Sequence, residues 1–189
     1  MVEESIEAAK RMNRMIRDML AFSTAEETES RGEAKANASE ILSQVLHNLR
    51  RHIAKTEAEI VAPPLPELQI EPTHLLQLFQ NLIGNAIKYR SPGVCPHIEI
   101  GAQRQGATWT LSISDNGIGF EPAFAAQIFG VFTRLHNTPD YPGNGIGLAI
   151  CERIVRLYQG RIWAESSAGK GATFYFSLPA TQTAIPAAV

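Results

Sequence analysis

Over the first 26 positions, Val2, Ile6, Ala9, Met12, Ile16 and Met19 recur in an alternating three–four rhythm, while Glu3, Glu4, Glu7, Lys10, Arg14, Arg17 and Asp18 fill the other faces. This spacing predicts an amphipathic helix whose narrow apolar stripe packs against other helices of a bundle. Residues 23–37 are small, polar and charged, with Gly32 among them, and 27–37 read as a linker. Ser39 with Glu40 behind it opens a second predicted helix over about 39–55, with Ile41, Leu42, Val45, Leu46, Leu49 and Ile53 on its inner face. Short strands are expected at 58–62 and 67–70, separated by Pro63, Pro64 and Pro66.

A strong helix is predicted over about 72–89, with Pro72 in its first turn. Two alternating strands, 97–104 and 107–115, follow as a hairpin turning at Gln105-Gly106. A short helix near 121–130, an irregular stretch over 131–144 and a helix over 145–159 ending at Gly160 come next. Two last strands flank AGKG, and the tail 180–189 has no pattern and reads as disordered. Helices alternating with hairpin-type strands indicate an α+β fold. The expected form is a two-layer α/β sandwich, with helices on one face of a mixed, mostly antiparallel sheet and a long N-terminal helix in front.

Composition narrows the function classes. With 17 Lys+Arg against 19 Asp+Glu and a net charge of −2, the chain lacks the basic excess of a nucleic-acid binder. No apolar run is long enough to span a membrane, and the charged N-terminus is unlike a signal peptide, so a cytoplasmic protein is expected. Cys95 and Cys151 are too few for a disulfide framework or a cysteine-rich zinc site, and read as a loop thiol and a core thiol.

Four segments carry chemistry. Asn81, Asn85 and Lys88 fall at i, i+4 and i+7 of the 72–89 helix and share one stripe, leaving Leu78, Leu82 and Ile83 for the core. Two amides and an ammonium suit a magnesium-bound polyphosphate, although a solvated polar face has the same pattern. Asp115-Asn116-Gly117-Ile118-Gly119-Phe120 puts a carboxylate at a strand end, where it can accept from an exocyclic amine, with glycines that let backbone approach a flat ring. An Asp-Asn-Gly turn would look alike. Gly143, Gly145, Ile146, Gly147 and Leu148 open a helix whose free N–H groups can take an anion. They follow a loop and lack a Lys-Ser/Thr, so they match neither a dinucleotide fingerprint nor a Walker loop. Gly169-Lys170-Gly171-Ala172-Thr173-Phe174 begins the final strand and, alone, reads as a glycine hairpin.

In this order, NLIGNAIKY, DNGIGF, IFGVFTRLH, GNGIGLAI and GKGATFYF resemble the N, glycine and F boxes of the ATP-binding domain of sensor histidine kinases, a relative of DNA gyrase, MutL and the large heat-shock chaperones (the Bergerat fold). The resemblance covers roughly 33–179, with 38–179 as the ATP-binding domain, and is strongest to phytochrome-like and PAS-linked kinases of bacterial two-component systems. It implies ATP or ADP and Mg as cofactors, with Asn85 as metal ligand and Asn81 near it. Lys88 and Tyr89 would contact phosphates or ribose, and Arg134 would reach the phosphates. Asp115 would read the adenine amine in a pocket completed by Gly117, Gly119, Phe120 and Thr173. Phe129 and Phe132 would anchor a mobile lid, hinged by Gly143, Gly145 and Gly147. Asn144 stands where Thr is common, with little effect expected.

Gyrase-type relatives carry Glu where this chain has Asn81, and an amide cannot take a proton from water, which favours phosphoryl transfer to a protein over hydrolysis. The expected acceptor, a histidine followed by an acid and then a proline, is not matched by His47, His52, His74, His97 or His136. The first four read as structural or half-exposed, and His136 as a possible phosphate contact. Residues 1–26 resemble the second helix of the family's dimerisation and phosphotransfer hairpin, so the chain reads as a kinase cut between the two hairpin helices, without autophosphorylation in cis. The implied partners are that hairpin, a response regulator receiver domain and a second copy through 1–26. The alternatives are a nucleotide-binding regulatory or Ser-directed module of the same fold, and a dimer module with an inactive pocket.

Overall fold

The computed structural model describes residues 34–135, 141 and 144–180. The expected helix over 1–26, most of the linker, His136, Gly143 and the tail beyond Ala180 lie outside the described residues. In chain order the elements are β1 (Ala36–Asn37), α1 (Ala38–Thr56), β2 (Glu59–Val61), β3 (Glu67–Leu68), α2 (Pro72–Lys88), β4 (His97–Gln105), β5 (Thr108–Asp115), α3 (Gly147–Leu157), β6 (Arg161–Ser166) and β7 (Ala172–Pro179). Five strands form one sheet in the order β2-β4-β5-β7-β6, parallel between β2 and β4 and antiparallel elsewhere.

Period-2 alternation builds the core. Ile98, Ile100, Leu111, Ile113, Phe174, Phe176 and Leu178 are buried on one face of the sheet, where α1, α2 and α3 cover them. α2 contributes Leu75, Leu78, Phe79, Leu82 and Ile83, all fully buried. Phe79 meets Phe176 edge-on at 6.2 Å between ring centroids. Truncating either ring to alanine would cost roughly 3–5 kcal/mol. On the opposite face Trp163 stacks on Tyr175 at 5.1 Å and 12°, with the Arg161 guanidinium 5.3 Å from the indole. The two-layer α+β sandwich read from the sequence is the observed fold.

Several local expectations need correction. Residues 36–37 are not linker: they pair antiparallel with Glu67–Leu68, because Ala36 and Ala38 are small enough to bury completely. The cap of α1 is Asn37, whose Oδ1 accepts from the N–H of Ser39 at 3.0 Å and of Glu40 at 3.3 Å. Ser39 instead accepts from Leu65 N–H at 2.8 Å. The helix near 121–130 shrinks to one 3₁₀ turn, Pro122–Phe124. The left-handed residue after α3 is Gln159, not Gly160. Gly160 is required for another reason: a Cβ there would lie 1.9 Å from the Ser177 carbonyl. His74 is buried, not half-exposed. Its Nδ1 is 2.8 Å from Tyr158 Oη, and burial lowers its pKa, tying the start of α2 to the end of α3.

Candidate functional site

α2 ends at the C-terminal end of β5, and the backbone joins them: Ile118 N–H donates to the Tyr89 carbonyl at 2.9 Å. Asp115 ends β5 opposite Ala172 of β7. Its Oδ1 accepts from Gly117 N–H at 2.9 Å and Ala172 N–H at 3.3 Å. Burial pushes the Asp115 carboxyl above its ordinary value, and the two backbone donors pull against that shift. The carboxylate lines a cleft that opens to solvent.

Of the residues singled out in the sequence, Asn85, Tyr89, Asp115, Gly119, Phe120, Arg134 and Leu148 line this cleft together. Its apolar walls come from Ile118, Ile128, Leu135, Ala172 and Phe174 as well. Lys88 stands at the rim, where Nζ donates to Tyr89 Oη at 2.8 Å and lies 4.2 Å from that ring's centroid. Arg134 donates to the Tyr141 carbonyl at 3.1 Å, and the Tyr141 ring lies 5.3 Å from that of Tyr89. This end therefore gathers a lysine and an arginine around two tyrosines.

Other residues stand elsewhere. Asn81 faces α3: its Oδ1 lies 3.1 Å from where a Cβ on Gly147 would be, and its amide also hydrogen-bonds Cys151. Burial lifts that thiol to about 12, so it is an inert core group. Gly145 and Ile146 pack behind the cleft; Ile146 is buried, and Gly145, at φ +70°, faces the Phe132 and Thr133 backbone. α3 follows Ile146, whose side chain makes no capping hydrogen bond. Phe129 is buried, but Phe132 is 59% exposed at φ +61°, so its ring anchors nothing among the described residues.

Thr173 is a correction. Strand alternation turns it to the face opposite Asp115, where its hydroxyl lies 3.0 Å from that of Ser114. The residue beside Asp115 is Ala172. The glycines are also explained differently from the sequence reading. A Cβ on Gly117 would meet the Tyr89 carbonyl at 2.4 Å, and one on Gly119, at φ +58°, the Ser167 carbonyl at 2.2 Å. These close approaches are to the protein's own backbone, at the end of α2 and just after β6.

Two positioning groups escaped the sequence reading. Asn116 accepts from His97 N–H at 2.9 Å and donates to the Cys95 carbonyl at 3.1 Å, fastening the loop before β4. Ser166 Oγ accepts from Phe120 N–H and donates to the Gly171 carbonyl, both at 2.8 Å. A signal did exist for the second: Ile162, Ala164 and Ser166 are the inward row of β6, and a hydroxyl on such a row needs partners.

A magnesium ion can be tested against the donors present. No group of three or more His, Cys, Asp or Glu able to hold a metal occurs among the described residues. Asn85, which lines the cleft, offers one amide oxygen. Such a sparse set fits Mg²⁺, which keeps most of its waters and binds through few protein ligands plus phosphate oxygens.

A five-stranded mixed sheet carrying an acidic strand end, a glycine-opened helix and this lined cleft defines a nucleotide-binding ATPase fold. The chain belongs to the histidine kinase-, DNA gyrase B- and HSP90-like ATPase family, whose profile matches residues 70–182. It is 46% identical over 175 residues to cyanobacterial phytochrome A of Nostoc sp. strain PCC 7120, covering 93% of this chain and 23% of that protein. It is 35% identical over 187 residues to the adaptive-response sensory kinase SasA of Synechococcus elongatus, covering 94% of this chain and 46% of that protein. The structure of full-length ShkA in complex with AMPPNP superimposes with a TM-score of 0.75 at 26% identity, covering 95% of this chain and 38% of that one. The chain thus spans about a quarter to a half of the curated relatives quoted.

Proposed function

We propose that the chain is the ATP- and Mg²⁺-binding catalytic part of a sensor histidine kinase, transferring the γ-phosphoryl group to a histidine on a helical hairpin outside these residues. The observation that carries it is Asp115: a half-buried carboxylate that accepts from two backbone N–H groups and lines a largely apolar cleft, which Arg134 also lines. That arrangement fits adenine at one end and a polyphosphate at the other. Asp115 accepts from the adenine amine, and Phe120, Ile128, Leu148 and Phe174 enclose the ring. Lys88 and Arg134 neutralise phosphate charge, with Tyr89 beside the ribose. Asn85 would hold Mg²⁺, which would supply neutralisation of phosphate charge.

Transfer is favoured over hydrolysis because Asp115 is the only carboxylate lining the cleft among the described residues, and it is committed to backbone donors at the base end. Asn81, an amide turned toward α3, cannot activate water. Catalysis then consists mainly of positioning and charge neutralisation. The partners in this reading are the acceptor hairpin, a receiver domain and a second copy paired through 1–26, in the cytoplasm. Among the described residues no helix is long and apolar enough to cross a membrane.

The test is to incubate the chain with γ-labelled ATP and a separately supplied acceptor hairpin. Acid-labile, base-stable label on the hairpin is expected, with none on the chain by itself. Label on serine would replace this reading with the Ser-directed one. No label, together with no ADP binding, would leave a module with an inactive pocket.

A further inference from the structure

Ser166 belongs to the last inward position of β6 and touches neither cation nor cleft mouth. Its hydroxyl works in both directions: it accepts from Phe120 N–H and donates to the Gly171 carbonyl, each at 2.8 Å. Gly171 C=O and Ala172 N–H are the two ends of one peptide unit, which is planar and trans, so they point in opposite directions. The carbonyl end is held by Ser166, and the N–H end donates to Asp115 Oδ1 at 3.3 Å. On one side this peptide is flanked by Gly171 at φ +82°, a backbone without the steric restraint of a Cβ. Space does not allow a Cβ there either, since it would lie 1.9 Å from the Asp115 carbonyl. Apart from the β7 ladder that begins at Ala172, the Ser166 hydroxyl is the restraint on the carbonyl end of this peptide that the hydrogen bonds show.

We propose, resting on the assignment of Asp115 to the adenine amine, that Ser166 is a positioning residue for nucleotide recognition: it locks the Gly171–Ala172 peptide so that its N–H aligns the Asp115 carboxylate, and holds Phe120 against the base with the same hydroxyl. A bond to the carbonyl also polarises the peptide and strengthens its N–H as a donor. Three donors then converge on the carboxylate when adenine is bound, two from backbone and one from the base. A protonated carboxyl would have to give up one of them.

The experiment is an ADP titration by calorimetry across acidic to neutral pH on the whole chain, comparing wild type with Ser166→Ala, Ser166→Thr and Asp115→Asn. Ser166→Ala is expected to weaken ADP about tenfold. It also moves the acidic midpoint of binding to higher pH, because a freed peptide no longer stabilises the Asp115 anion. Ser166→Thr, which keeps the hydroxyl, restores both. The Ala172 amide proton, read by NMR, shifts in Ser166→Ala and not in Ser166→Thr, a readout that remains available if the alanine variant is less stable. An affinity loss with an unchanged midpoint and an unmoved Ala172 amide overturns the proposal, leaving Ser166 a packing residue. Wild-type affinity in Ser166→Ala while Asp115→Asn fails to bind overturns it too. If Asp115→Asn binds as wild type, the assignment of Asp115 itself is wrong.

Discussion

At the proposed base end of the cleft, the Asp115 carboxylate and the Ser166 hydroxyl, both at strand ends, are tied to backbone groups of Gly117, Gly171 and Ala172. At the phosphate end, Lys88, Tyr89, Arg134 and Tyr141 meet through the tips of long side chains, a ring contact and one carbonyl. In the proposed reading the first set, tied to strand ends and adjoining backbone, stands aligned before the nucleotide binds. The second must exchange these contacts for phosphate oxygens when one arrives. Under that reading base recognition is preorganised, while phosphate recognition is assembled on binding.

The sharpest way to break this contrast is at Asp115. Asp115→Asn turns an amide N–H₂ or a poorer acceptor toward donors and should weaken ADP about 100-fold, measured by calorimetry. A loss under threefold would mean that the base end does not select. Next in size is the backbone itself. Gly119→Ala forces a Cβ into the Ser167 and Gly171 carbonyls and should cost at least about 2 kcal/mol in thermal or urea unfolding. Gly169→Ala, also at positive φ but with nothing within 4 Å, should cost only about 1 kcal/mol. Equal costs would deny that interstrand approach sets the glycines.

Lys88→Ala should weaken ATP about tenfold while leaving adenosine unchanged, since the ammonium reaches phosphate and not base. Equal losses for both ligands would make Lys88 a structural contact of Tyr89. Smallest is the pH response, and its sign separates stability from binding. Burial raises the Asp115 carboxyl in the folded chain, so its contribution to stability is fully present below the unfolded value and is lost as pH rises through the folded one. Binding runs the other way, because adenine needs the anion. On acidification, ADP affinity should fall at a higher pH than an ordinary carboxylate would dictate, while the ligand-free chain gains slightly in stability. Parallel changes in affinity and melting temperature would contradict the assignment.

Much of the fold was legible because it rests on period. The alternation in β4, β5 and β7 and the apolar stripe of α2 appear in the sequence, and so do Asp115, Asn85 and Arg134 of the cleft. The misses have particular causes. Thr173 was chosen for its hydroxyl, yet strand register turns it away from Asp115 and puts Ala172 there. Asn81 shares a helical stripe with Asn85, but a residue one turn further from the cleft meets α3 first. Ser166 shows in the sequence only as a hydroxyl on an inward strand row, and its partners, 46 and 5 residues away, do not show there at all.

Local pattern by itself determined the elements, the inward faces and the kinds of chemical group available, because these follow from covalent spacing and hydrophobicity along the chain. Only the tertiary structure decided which of those groups face one another. Register across β5, β6 and β7 aligned a peptide unit between Ser166 and Asp115. It also made the glycines necessary for contacts within the protein, which depend on distances between strands that no single segment contains.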